Sequence, residues 1–145
     1  MTINQISIFL ENRVGTLAQV CKVLADNDIS LVTLSLAETQ DFGIARLIVD
    51  EHEKAERVLR TNKFLVRTTP VVAVTVPDRP GGMAQVVSTL SEKGCDIEYS
   101  YAFAFNNNEK AVLVFRFKDD AAAEAVLAEA GFTTIHENQL QEAAK

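Results

Sequence analysis

The sequence predicts an α+β chain made of two consecutive βαββαβ copies, and three observations carry that prediction. The phrase "ENRVGTLAQVCKVLADNDIS" from Glu11 returns as "PDRPGGMAQVVSTLSEKGCD" from Pro77, so that Arg13, Gly15, Ala18, Gln19, Val20 and Leu24 fall on Arg79, Gly81, Ala84, Gln85, Val86 and Leu90 at a shift of 66. Further on, Ala55, Glu56, Val58, Leu59 and Phe64 meet Ala123, Glu124, Val126, Leu127 and Phe132 at a shift of 68. The apolar period alternates between that of strands and that of helices, in the same order both times.

Each element follows from its residues. Ile6, Ile8 and Leu10, matched by Val72, Val74 and Val76, alternate as in a strand. Gly15 or Gly81 follows, then a helix whose apolar stripe is Leu17, Val20, Cys21 and Leu24, or Met83, Val86, Val87 and Leu90. A second strand comes next ("ISLVTLSLAE"; "IEYSYAFAF"), then a turn ("TQDFG"; "NNNEK") and a third strand ("IARLIV"; "AVLVFRF"). The second helix carries Ala55, Val58 and Leu59, or Ala123, Val126 and Leu127, and a short strand closes each copy ("KFLVRT"; "FTTIH"). Two βαβ crossovers of the usual hand give a ferredoxin-like unit, an antiparallel sheet with both helices on one face. The copies divide as residues 1–69 and 70–145, with Pro70 between the last strand of one and the first of the next. The polar tail "ENQLQEAAK" reads as a frayed helix end or a disordered segment. A unit this small is marginal alone, so the sheet face or edge without helices is expected to be covered by the sister copy or by a second chain, in a homodimer.

Composition narrows the function. Twenty acidic against fourteen basic residues give a net charge of −6, which argues against a nucleic-acid partner. No apolar run is long enough to cross a bilayer and the N-terminus has no basic segment ahead of its apolar stretch, so a cytoplasmic protein without membrane association is expected. Cys21 and Cys95 share no CxxC or Cys/His cluster, which speaks against zinc and reads as two small buried thiols. His52 and His136 sit in no nucleophile motif, and there is no P-loop, GxGxxG or HExxH. No catalytic residue and no cofactor is expected.

The strand ending in "ENRVG" or "PDRPG", followed by a helix and then by "NDISL" or "KGCDI", resembles the ACT domain, a small-molecule-sensing module. The resemblance covers both copies and implies a stand-alone tandem ACT protein. The first copy also resembles the start of the small regulatory subunit of acetolactate synthase, whose second half is not a second copy of the motif. ACT domains bind amino acids where two copies meet, through the loop between the first strand and helix and the start of the second strand. The resemblance therefore implies a ligand site at Asn12, Val14, Gly15, Thr16, Leu17 and Ser30 in one copy. In the other it implies Asp78, Pro80, Gly81, Gly82, Met83 and Asp96. The partners implied are a free amino acid and an enzyme of amino-acid metabolism.

Those residue types suit a zwitterion. The first turn of a helix offers unpaired N–H groups and a positive dipole end to a carboxylate. A glycine there admits close approach to the backbone, and Gly82 extends that opening. Pro80 fixes the entry direction, while Asn12, Asp78 and Asp96 can accept from an ammonium. The same glycines also serve a tight turn, with Asn12 and Asp78 as turn residues. Tyr99, Tyr101, Phe103 and Phe105 alternate onto one strand face, where they form packing or, at Tyr99 and Tyr101, a pocket wall. The alternative function is a ligand-free interaction module or regulatory subunit.

Overall fold

The computed structural model describes residues 2–38, 40–104 and 109–143. Thr39, Phe105 and the turn residues 106–108 lie outside them, so the expected turns and the last ring of the aromatic row are covered only in part. The elements are β1 (Ile3–Glu11), α1 (Thr16–Asp26), β2 (Leu31–Glu38), β3 (Phe42–Val49), α2 (His52–Thr61) and β4 (Leu65–Pro77). They continue with α3 (Gly82–Glu92), β5 (Ile97–Ala104), β6 (Lys110–Phe117), α4 (Asp120–Glu129), β7 (Thr133–Ile135) and α5 (Glu137–Ala143). The chain is α+β and carries the βαββαβ order twice.

Two compact units result, Asn4–Thr69 and a second made of Met1–Ile3 with Pro70–Lys145. In the first the strand order is β2-β3-β1-β4, and in the second β5-β6-β4-β7. β1 pairs antiparallel with β3 (Ile6 opposite Leu47, Leu10 opposite Gly43), and β3 with β2 (Leu47 opposite Leu34, Ala45 opposite Leu36). β4 pairs with β6 (Val74 opposite Leu113), β6 with β5 (Val114 opposite Tyr101), and β4 with β7 (Ala73 opposite Ile135).

Each unit has its own core between sheet and helices. In the first, Ile6, Ile8, Leu47, Val20, Leu24 and Leu59 are buried together; in the second, Val72, Val74, Phe115, Val86, Leu90 and Leu127. Burying a leucine or isoleucine fully stabilises by ~1.5–3 kcal/mol, so these i, i+4 pairs on α1 and α3 hold each helix to its sheet. The stripe narrows at its ends, since Leu17 and Val87 are only partly buried and Met83 is exposed. Both cysteines are free and half-buried rather than fully enclosed.

Two expectations change. Pro70 does not separate two strands but lies inside the single 13-residue strand β4. Proline is tolerated where no ladder N–H is needed, and its carbonyl accepts a hydrogen bond from Arg116 Nη1 at 3.0 Å. The tail is not frayed over 137–143, where it forms α5 with Leu140 fully buried. Gln139 Oε1 accepts from the His136 N–H at 2.8 Å, which fixes the turn into this helix.

The sheet faces turned away from the helices are also buried in good part. Gln5, Ser7, Thr33 and Ile48 are buried on one, and Val71, Ala73, Val112 and Val114 on the other.

Candidate functional site

The loop between β1 and α1 is built from backbone outward. Gly15 takes φ 94° and ψ −11°, a left-handed conformation that L side chains rarely adopt, and it stands at the N-cap of α1. A Cβ placed there meets nothing within 4 Å, so the glycine is required by backbone conformation, and the space beside it is open. Thr16 Oγ1 donates to the carbonyls of Glu11 and Arg13, each at 3.1 Å, which folds the loop back on the end of β1. The Asn12 N–H donates to the Asp41 carbonyl at 3.1 Å and ties the loop to the β2–β3 turn. No side chain caps α1 and no acid occupies its first turn, so the positive end of this helix is left uncompensated by its own residues.

Beside that helix start is a cavity of about 160 Å³. Leu10, Leu17, Ala18, Leu36 and Gly43 supply its apolar lining, and Glu11, Asn12, Arg13, Gly15 and Thr16 the polar part. Its size is below the ~300–1,000 Å³ of drug-sized pockets and suits a ligand of a few heavy atoms. Arg13 and Glu11 form an exposed ion pair at 2.9 Å at the rim. Val14 points away into solvent and is not part of the lining.

The second unit repeats the backbone and changes the surroundings. Gly81 has φ 90° and ψ −9°, again at an uncapped N-cap with no acid in the first turn. The Asp78 N–H donates to the Glu109 carbonyl at 2.9 Å, the counterpart of the Asn12 bond. Gly82, which the sequence reading made part of the opening, is instead buried. A Cβ on it would stand 2.5 Å from the Pro77 carbonyl oxygen, so its missing side chain lets helix and strand end close on each other. Pro80 is exposed on this loop, and Met83 extends into solvent.

The residues expected at the starts of the second strands lie elsewhere in their own units. Ser30 precedes Leu31, which pairs with Val49, whereas Leu10 at the loop end pairs with Gly43. Ser30 is therefore at the opposite end of the sheet, where its N–H donates to Asp50 Oδ1 at 3.0 Å. Asp96 is likewise remote from Asp78 and pairs with Lys118 at 2.9 Å. The hydrogen bond and charge of that carboxylate raise the Lys118 ammonium above its ordinary pKa. Tyr99, Tyr101 and Phe103 lie opposite Arg116, Val114 and Val112, on the face turned away from the helices. The Gly81 loop leads into the helix layer, so neither tyrosine is brought beside it within the unit.

Leu36 and Gly43 were not among the residues the sequence singled out. Their signal was available: a glycine inside a strand marks room or close approach, and Leu36 shares its face with Leu34. A further open hollow of about 400 Å³ runs along the start of α2, lined by Asp50, Glu51, His52, Glu53, Lys54 and Arg57. Among the described residues no group of three or more His, Cys, Asp or Glu side chains is placed to hold a metal ion.

Two αβ units of this order, each with a glycine turn into an uncapped first helix, define the class. The family model described as the ACT domain pair matches residues 1–144, and the chain belongs to that family. A protein from Bacteroides thetaiotaomicron of known crystal structure is 42% identical, with a TM-score of 0.91 over 97% of this chain and 96% of that one. The ligand-free regulatory subunit of aspartate kinase from Thermus thermophilus is 15% identical, with a TM-score of 0.62 over 88% and 92% of the two chains. The corresponding subunit from Thermus flavus is 16% identical, at 0.58 over 98% and 92%. At such identities the two Thermus structures show the shared fold alone. No curated protein matches the sequence.

Proposed function

We propose that this chain is a non-catalytic regulatory protein that senses a free amino acid through its glycine loops. The ligand sits where two ACT units meet, in a homodimer. The observation that carries this reading is the start of α1: a left-handed glycine, no side-chain cap, no first-turn acid, and an open cavity beside it. A carboxylate there gains backbone N–H donors and the helix dipole. Ser30 and Asp96 sit at the far ends of their own sheets. In this reading they reach such a ligand from a neighbouring unit. The fold shared with the regulatory subunits of aspartate kinase supports a regulatory role, exerted on an enzyme of amino-acid metabolism in the cytoplasm. A ligand that touches two units favours the arrangement in which both contacts exist, by its differential affinity.

Thermal-shift screening with the twenty amino acids tests the reading. At a ligand concentration of 100 Kd, one site stabilises by ~2.7 kcal/mol, a clear rise in melting temperature. Saturable stabilisation by one class of amino acid, lost in Gly15→Leu, is expected. No response to any of the twenty would leave a ligand-free interaction module.

A further inference from the structure

The two loops share a backbone, and the residues beside it differ at a few positions. Leu36, Gly43, Thr16 and Glu11 in the first unit correspond to Ala102, Ala111, Gly82 and Pro77 in the second. In the first unit the long side chain of Leu36 forms a wall, and the absent side chain of Gly43 leaves the floor open beneath it. A Cβ at Gly43 would come 3.6 Å from the Leu36 methyl, so any larger group there takes up the cavity. In the second unit alanine stands at both positions, so the long wall is missing and the bare floor has gained a methyl. Gly82 also lets α3 close on Pro77.

The placing of charge differs too. The rim of the first cavity carries both signs, Glu11 and Arg13, paired with each other at 2.9 Å. A zwitterion entering between them exchanges that one ion pair for two, its carboxylate toward Arg13 and the helix start and its ammonium toward Glu11. The second loop also carries both signs, in Arg79 and Asp78, but has Pro77 where Glu11 stands and its acid where Asn12 stands. Beyond the rim the first cavity is apolar, with Leu10, Leu17 and Leu36 offering no partner to a buried charge. Its volume of about 160 Å³ suits a side chain of a few carbons, with the amino-acid head group held at the rim.

We infer that the ligand site is in the first unit only, one per chain, and that it takes an amino acid with a small aliphatic side chain. The inference rests on the sensing role proposed above and goes further by fixing the copy and the side-chain class. The second loop then keeps the turn as a structural element.

Titration calorimetry on the full chain tests it with alanine, valine, leucine, phenylalanine, aspartate and lysine as probes. The expected result is one site per chain, with valine or leucine bound at least tenfold tighter than phenylalanine, aspartate or lysine. Gly43→Val should weaken that binding more than tenfold, and Leu36→Glu, at a half-exposed position that tolerates a charge, should do the same. Ala111→Val, the matching change in the second unit, should leave it unaltered. Circular dichroism confirms that each variant is folded. Two sites per chain, loss of binding in Ala111→Val but not in Gly43→Val, or preference for a charged or aromatic amino acid would overturn the inference and leave the sensing role standing. No binding by any of the twenty amino acids would overturn both.

Discussion

The two copies enter their first helices through the same backbone and leave that turn with different neighbours. Gly15 and Gly81 agree within a few degrees, at φ 94° and 90°. One residue later, Thr16 reaches back to two carbonyls, whereas Gly82 packs its bare Cα against one. The second helices diverge as well. Asp119 caps α4 by accepting from the Ala122 N–H at 3.1 Å, while Glu51 at the start of α2 makes no such bond. A repeated turn is thus a repeated conformation, and what stands beside it decides whether it can hold anything.

The comparison breaks most visibly at the residue after the glycine. Gly82→Val forces a Cβ into the Pro77 carbonyl, and overpacking of this kind costs about 3 kcal/mol. Thr16→Val, at the matching position, loses only two side-chain hydrogen bonds and should cost about 1 kcal/mol. Urea denaturation followed by circular dichroism measures both; equal losses would mean that the second loop is as open as the first. Next in size, Gly15→Ala and Gly81→Ala each hold an L residue in the left-handed region, at about 1–2 kcal/mol with no clash to add. The two losses should match, because the backbone is the same. A third pair separates the second helices: Asp119→Ala removes a cap and should cost about 1 kcal/mol, Glu51→Ala a few tenths.

The parts of the fold that were legible are those whose signal is local. Ile6, Ile8 and Leu10 alternate, and Val20 and Leu24 stack one turn apart, so strand and helix can be named without knowing what they touch. The glycine turn was legible because two copies spelled it. Leu36 and Gly43 were not, because their meeting depends on the register of β2 against β3 and of β3 against β1, which no single segment encodes. Gly82 was misread for a related reason: a missing side chain looks the same in sequence whether space or a carbonyl fills its place. Pro70 looked like punctuation because proline usually is, and Leu140 was hidden as one apolar residue in a polar run.

The smallest effect distinguishes how each second helix is tied to its unit. In the first, Glu56 accepts from Thr68 Oγ1 at 2.8 Å, and Arg60 bridges Glu56 to the Val66 carbonyl, joining α2 to β4. In the second, His136 occupies the place of Thr68. The Thr68 hydroxyl, and to a lesser degree the Arg60 guanidinium, hold the Glu56 carboxyl below its ordinary pKa in the folded chain. A folded-state pKa below the unfolded one contributes stability that is complete above the unfolded value, ~4.3 for glutamate, and disappears as pH falls through the lower folded value. Thr68→Val removes the main cause of the shift. The stability difference between wild type and Thr68→Val should therefore be constant from neutral pH down to about 5 and shrink as the solution is acidified further. Denaturation curves at a series of pH values read this directly. A difference that stays the same into strong acid would show that Thr68 acts by packing alone.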